Sequence, residues 1–196
     1  MSDLKIDLLR GAGIADQLTA LAELRIAVFR EWPYLYEGSL EYEKKYLDTY
    51  LRCPRSLAIL VWEDGRCIGA STVLPLADAE ASARAPFEAQ GLPIGRIDYF
   101  GESVILKPWR GRGLGVKFFE LREAHAREQG LSICAFCAVE RPADHPARPA
   151  GYVPNDAFWT RRGYRKRPEM QTTFDWPDTG EAASTPKRMS FWMREL

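Results

Sequence analysis

The chain has 196 residues, 46% of them hydrophobic, enough for one substantial core and a single mixed α/β domain over residues 1–196. Its 27 basic and 27 acidic residues cancel, so the overall field makes no case for nucleic-acid binding and leaves only a local basic groove to consider. No uninterrupted apolar segment is long enough to span a membrane. Met1-Ser2-Asp3-Leu4-Lys5 leads into mixed sequence without the apolar core of a secretion signal, so the expectation is a cytoplasmic protein with no membrane partner.

In chain order, Lys5 to Leu9 reads as a first strand, with Gly11 and Gly13 turning into a helix over Ile14 to Phe29 that packs through Leu18, Leu21, Ala22, Ile26 and Phe29. Pro33 then interrupts the helical period inside Arg30–Gly38, a segment rich in aromatic and acidic groups that suits one wall of an acceptor pocket. A partly exposed second helix is expected over Leu40 to Tyr50, with Leu40, Lys44 and Leu47 on one side. Ser56–Trp62 and Cys67–Leu74 flank Glu63-Asp64-Gly65-Arg66, a hairpin signature because Asp-Gly favours a tight turn. Ala77–Ala89, alanine-rich but broken by Pro86, reads as an irregular linker or a short helix.

The most informative stretch follows. Ile97 through Leu106 is a strand in which Gly101 allows a bulge or a close approach, and it runs into Lys107-Pro108-Trp109-Arg110-Gly111-Arg112-Gly113-Leu114-Gly115, ahead of a helix over Leu114–Gln129. Glycines at such a turn let the backbone approach phosphate, and the unpaired amides of the helix start face it. A nucleotide-triphosphate loop would carry Lys then Ser or Thr after its last glycine, where this chain has Val116-Lys117-Phe118, and the spacing is also wrong for a dinucleotide fingerprint.

Further on, Leu131–Val139 is a companion strand, Glu140–Pro154 a proline-rich loop suited to an acceptor-side or oligomer contact, and Ala157–Trp159 a short helix capped by Asn155 or Asp156 and ended by Gly163. Glu169–Trp176 and Lys187–Leu196 read as a terminal strand pair. Cys134 and Cys137 fall on opposite faces of their strand, so packing explains them better than redox or metal chemistry, and Cys53, Cys67, Cys134 and Cys137 are expected to be free thiols. His125 and His145 complete no metal set, and no metal is expected.

Arg110-Gly111-Arg112-Gly113-Leu114-Gly115 resembles the Arg/Gln-x-x-Gly-x-Gly/Ala signature of the GCN5-related N-acetyltransferase superfamily. The resemblance implies a mixed, mainly antiparallel central sheet flanked by helices. It also implies a site for acetyl-coenzyme A or another short acyl-coenzyme A: a pyrophosphate cradle of Arg110, Gly111, Arg112, Gly113 and Gly115, with Val116 nearby and Leu106 and Lys107 closing the strand beside the pantetheine arm. It implies direct attack by a primary amine, an amino acid or a peptide amine. Where the family commonly has Tyr-x-x-x-Gly-Phe, with the tyrosine as proton donor to the leaving thiol, this chain has Trp159-Thr160-Arg161-Arg162-Gly163-Tyr164, and an indole is no acid at neutral pH.

Glu102, in the acidic position of the motif strand, is the preferred base, directly or through water, with Asp98 as a fallback if a bulge changes the facing pattern. Glu31, Tyr34, Glu140 and Tyr152 are candidates for acceptor binding, and Tyr164 for anchoring the helix-to-strand transition. A non-catalytic acyl-coenzyme A sensor is the alternative, and a homodimer is compatible with the chain. Nucleic-acid binding through Arg161, Arg162, Arg165, Lys166 and Arg167 is the weaker reading.

Overall fold

The computed structural model describes residues 4–196; Met1–Asp3, part of the N-terminal stretch considered above, lie outside the described residues. Seven strands form one sheet in the order β1-β2-β3-β4-β5-β7-β6, from β1 (Lys5–Leu9), β2 (Leu57–Glu63), β3 (Arg66–Pro75), β4 (Ile97–Ile105), β5 (Ile133–Val139), β6 (Arg165–Trp176) and β7 (Thr185–Glu195). Every pairing is antiparallel except β4 with β5. The mixed, mainly antiparallel sheet flanked by helices is the expected fold.

The helices are α1 (Leu18–Phe29), α2 (Leu40–Arg52), α3 (Ala81–Ala89), α4 (Leu114–Glu128) and α5 (Asp156–Arg161). The turn expected at Gly11 and Gly13 is a 3-10 turn over Gly11–Gln17, entered at Gly11 with φ +47°, and it takes in Ile14, where the first helix was expected to begin. The Ser39 side chain accepts from the Tyr42 amide to start α2, and Glu41 and Glu43 in its first turn suit the helix dipole. Asp64 (φ +49°) and Gly65 (φ +77°) turn the β2–β3 hairpin, as the Asp-Gly pair predicts.

One apolar cluster lies on the face covered by α1 and α2, with Leu21, Leu47, Tyr50, Leu74 and Val104. The other lies under α4 and α5, with Ile59, Phe100, Phe118, Phe136 and Tyr164. Strand β4 carries the expected bulge: Ser71 pairs Ser103 and Val73 pairs Phe100, so β4 spends one residue more than β3. Gly101 is the reason it can. A Cβ there would fall on the Tyr50 hydroxyl and the Thr72 side chain, which fill the space a side chain would need. Consequently Tyr99 and Glu102, three residues apart, both serve the α1–α2 face, while Phe100 packs under α4.

Candidate active site

The site starts from a separation of strands. β4 and β5 pair only over Ile97–Tyr99 with Ile133–Ala135; beyond that point β4 continues against β3 to Ile105, and β5 against β7 to Val139. A wedge therefore opens between the C-terminal ends of two parallel strands, where an α/β sheet offers unpaired backbone to a ligand.

The glycine turn stands at the open end. Gly111 and Gly113 have φ of +76° and +85°, nothing lies within 4 Å of where their Cβ atoms would be, and Gly113 leads directly into α4. No side chain caps the first amides of α4. A left-handed, unobstructed turn before an uncapped helix start fits a pyrophosphate, and exposed Arg112 adds positive charge. Gly115 has only ordinary contact room beside Phe158, at 3.7 Å from its would-be Cβ, and Val116 is exposed. Leu106 is tied by its amide to the Ile68 carbonyl (3.0 Å), and Lys107 opens a 3-10 turn. Arg110 turns back on the protein: its Nε donates to the Ile105 carbonyl (2.8 Å) and its Nη1 pairs with Glu31 (2.8 Å). Glu31 thus joins the end of α1 to the glycine turn.

On the α1–α2 side of the wedge lies a cavity of about 170 Å³. Tyr99 and Gly101 of β4 and Cys137 of β5 form its wall where the strands part. Tyr34, Tyr46, Tyr50 and Trp176 make the rest of it largely aromatic, the Tyr34 and Trp176 rings stacking at 5.8 Å. Arg25 and Glu43 also border it. Arg25 pairs with both Glu43 and Glu102, a triad whose side chains are 8%, 0% and 1% exposed, and its guanidinium lies over the Tyr46 ring at 4.3 Å. Burial opposes the charge on Arg25, but Glu102, Tyr46 and Glu43 raise its pKa above the ordinary guanidinium value. Burial raises the Glu102 pKa, against the pull of Arg25. Cys137 is pushed up by burial to about 11, so it is a thiol at neutral pH and no nucleophile.

Among the expected acceptor residues only Tyr34 lines this cavity. Glu140 is instead held by Lys166 (2.5 Å) and Arg188 (3.2 Å), and these cations, acting against burial, keep its pKa low. Tyr152 packs edge-on against Trp32, 5.9 Å between ring centroids, and Glu31 serves Arg110. Glu102 does not border the cavity either; it is buried behind Arg25, with Thr72 as its other side-chain partner. Asp98 is a correction as well. The bulge forms, yet Asp98 faces α4, where the His125 Nδ1 meets its carboxylate at 2.6 Å and burial raises its pKa.

Sequence reading missed Arg25, Glu43, Tyr46, Tyr50 and Trp176. The signal was an arginine inside the apolar run of α1, and Tyr42, Tyr46 and Tyr50 at i, i+4 spacing on α2. Trp159 packs at 5.1 Å from both Phe136 and Trp192, and the buried Tyr164 hydroxyl donates to Glu123 (3.3 Å), so both are structural as expected. Cys134 lies in the cluster under α4 and Cys137 on the cavity face, and all four cysteines are free. Three cations of the basic C-terminal cluster have acidic partners: Arg162 with Glu123, Lys166 with Glu140, and Arg167 with Glu169.

A splayed parallel pair, an uncapped helix behind a glycine turn and an adjoining cavity thus meet at one end of the sheet. The family model of the acetyltransferase (GNAT) family matches residues 18–150, and the chain belongs to that family. Its fold is similar to that of an acetyltransferase from Thermus thermophilus (TM-score 0.58, 19% identity, 100% of each chain covered). It is also similar to a GNAT-family acetyltransferase from Streptococcus pneumoniae (0.58, 13%, 99% of this chain and 100% of that one) and to a ribosomal-protein-alanine N-acetyltransferase from Brucella melitensis (0.58, 14%, 98% and 99%). No curated protein matches the sequence. Among the described residues no helix is long and apolar enough to cross a membrane.

Proposed function

We propose that this protein is an N-acetyltransferase that moves an acetyl group, or another short acyl group, from acyl-coenzyme A to a primary amine. The observation that carries the reading is the junction of the β4–β5 wedge, which leads to the glycine turn, with the aromatic cavity at Tyr99, Gly101 and Cys137. An acyl-coenzyme A bound there supplies the activated acyl group as its thioester. Gly111, Gly113 and the first amides of α4 would hold its phosphates, with Arg112 adding charge. The backbone of β4 beyond Tyr99, free of β5, supplies a donor for developing oxyanion charge.

The protein's own task is to take a proton from the incoming ammonium. Tyr46 and Tyr50 line the cavity with hydroxyls 3.4 Å apart, and Tyr50 packs on Gly101 and Thr72 beside Glu102, its strongest charged neighbour. The proton passes from the amine nitrogen to the Tyr46 oxygen as the Tyr46 proton moves to Tyr50, that of Tyr50 to the Thr72 hydroxyl and that of Thr72 to Glu102. Burial lifts the carboxyl pKa toward the working range of a base. Trp159 supplies packing rather than a proton, so as the C–N bond forms and the C–S bond breaks the second proton of the nitrogen would leave to solvent, and solvent would return one to the departing thiolate.

The test combines thiol release with mass detection of the acetylated product over small amines, amino acids and peptide amines. Thiol release no greater than the amine-free background throughout would reject transfer and leave a binding protein. Within the same assay, Glu102→Gln lowers kcat at least tenfold with little change in KM for the acyl donor. Wild-type rates across pH would remove Glu102 from the mechanism.

A further inference from the structure

We propose that the acceptor is a primary amine with one ring-sized apolar body and no carboxylate beside the nitrogen. This inference rests on the acetyl-transfer reading and narrows it to a substrate class.

Size is the first argument. About 170 Å³ is close to the roughly 150 Å³ of an apolar cavity that takes up a benzene ring, so the space takes one ring and a short arm. Surface is the second, because the walls are aromatic rings braced against one another: Tyr34 stacks on Trp176, and Tyr36 meets Trp176 edge-on at 6.5 Å. Rings so placed favour an apolar body and the positive edge of an ammonium ion.

Charge decides the rest. Among the described residues Arg25 is the only cation on the wall and is already shared between two carboxylates, with Glu80 a further acid at the cavity. A substrate carboxylate would bring one more negative charge to a place where acids already outnumber the guanidinium. An ammonium has partners waiting. Glu43 Oε1 and the Tyr36 hydroxyl both belong to the wall and are both buried, and the hydroxyl faces the Glu43 carboxylate. A cationic N–H donor there gives the carboxylate a charge-assisted partner beyond that neutral hydroxyl.

The experiment compares phenethylamine with L-phenylalanine, which has the same ring and amine plus a carboxylate, alongside ethylamine, spermidine and a free-amine tripeptide. Acetyl-coenzyme A is the donor, and calorimetric binding of each amine to the donor-free protein is measured in parallel. The expected result is a kcat/KM for phenethylamine at least tenfold above every other amine, with the same order in affinity. Two variants locate the effect. Glu43→Gln raises KM for phenethylamine at least fivefold. Ser82→Trp, at an exposed position of the cavity wall where folding is not at stake, penalises phenethylamine at least fivefold more than ethylamine.

Transfer to phenylalanine, spermidine or the tripeptide at equal or higher efficiency overturns the inference while acetyl transfer stands. Tight phenethylamine binding without acetylation of any amine keeps the cavity assignment and sinks the transfer reading. Neither binding nor transfer of phenethylamine overturns the inference.

Discussion

Replacing Arg25 by methionine removes the one positive charge from a triad whose carboxylates, Glu43 and Glu102, are 0% and 1% exposed. Methionine restores volume without charge, so the loss is chiefly electrostatic: two buried acids stand together with no counter-ion. Breaking a buried pair in this way costs about 3–5 kcal/mol. For a chain of this size each kcal/mol lowers Tm by roughly 2–4 °C, so the melting point falls by about 6–20 °C at neutral pH. The pH dependence has a definite sign. The Glu102 pKa is already raised above its ordinary 4.5 by burial, and without Arg25 it rises further. A raised carboxyl takes its proton in the folded state before the unfolded one, so its stabilising contribution is full below about 4.5 and is lost as pH climbs through the folded value. The Arg25→Met deficit is therefore largest at pH 8 and shrinks toward pH 5. Urea unfolding of both proteins at pH 5, 6, 7 and 8 measures it, and adding Glu43→Gln and Glu102→Gln to the variant recovers stability at pH 7. A deficit under about 1 kcal/mol, or one equal at pH 5 and pH 8, would refute the reasoning.

Gly101→Ala forces a methyl group onto the Tyr50 hydroxyl and Thr72, and overpacking of this kind costs about 1–3 kcal/mol; thermal melts should show the loss together with a lower kcat, because the displaced hydroxyl belongs to the proposed relay. At Gly113, held at φ +85°, alanine carries a left-handed backbone penalty of about 1–2 kcal/mol and should raise KM for acetyl-coenzyme A without changing preference among amines, as steady-state kinetics would report. Trp159→Phe should lower stability through lost contact with Phe136 and Trp192 yet leave kcat within about threefold; a collapse of kcat in a well-folded variant would give the indole a chemical role after all.

What the sequence disclosed and withheld follows the range of the forces involved. The Asp64-Gly65 turn and the Gly111–Gly115 run are local: left-handed glycines and a helix start are written in a few neighbouring residues, and both appear where expected. Even the freedom at Gly101 was legible, because only the missing side chain had to be noticed. The direction of Glu102 and Asp98 was not. Both depend on a bulge that shifts the facing pattern of β4 and on partners in α1 and α4 far along the chain, Arg25 for one and His125 for the other. The second helix shows the same limit. Its apolar pattern pointed to Leu40, Lys44 and Leu47, but the buried side is Glu43, Leu47 and Tyr50, because the charge of Glu43 is matched by an arginine 18 residues away.

Strand β4 carries two buried charged clusters, on opposite faces, and their difference bears on function. On the α4 face, His125 is tied through Nδ1 to Asp98 and through Nε2 to the Arg55 carbonyl (2.8 Å), so it fastens α4 both to the sheet and to the chain entering β2. That cluster does not border the cavity, and cross-linking of elements is a sufficient reason for it. The Arg25 triad also ties α1, α2 and β4 together, but apolar residues of similar volume would do so as well or better, since desolvating an acid–base–acid set offsets most of its attraction. Two of its members nevertheless stand in the wall of a cavity, and beyond Arg25 the acids have only neutral hydroxyls beside them, Tyr36 for Glu43 and Thr72 for Glu102. A fold that keeps costly charge there, with a hydroxyl pair beside it, keeps what an amine needs in order to bind as a cation and react as a neutral base. The same comparison gives the control for the triad variants: His125→Gln should lower stability without altering the ranking of amine acceptors.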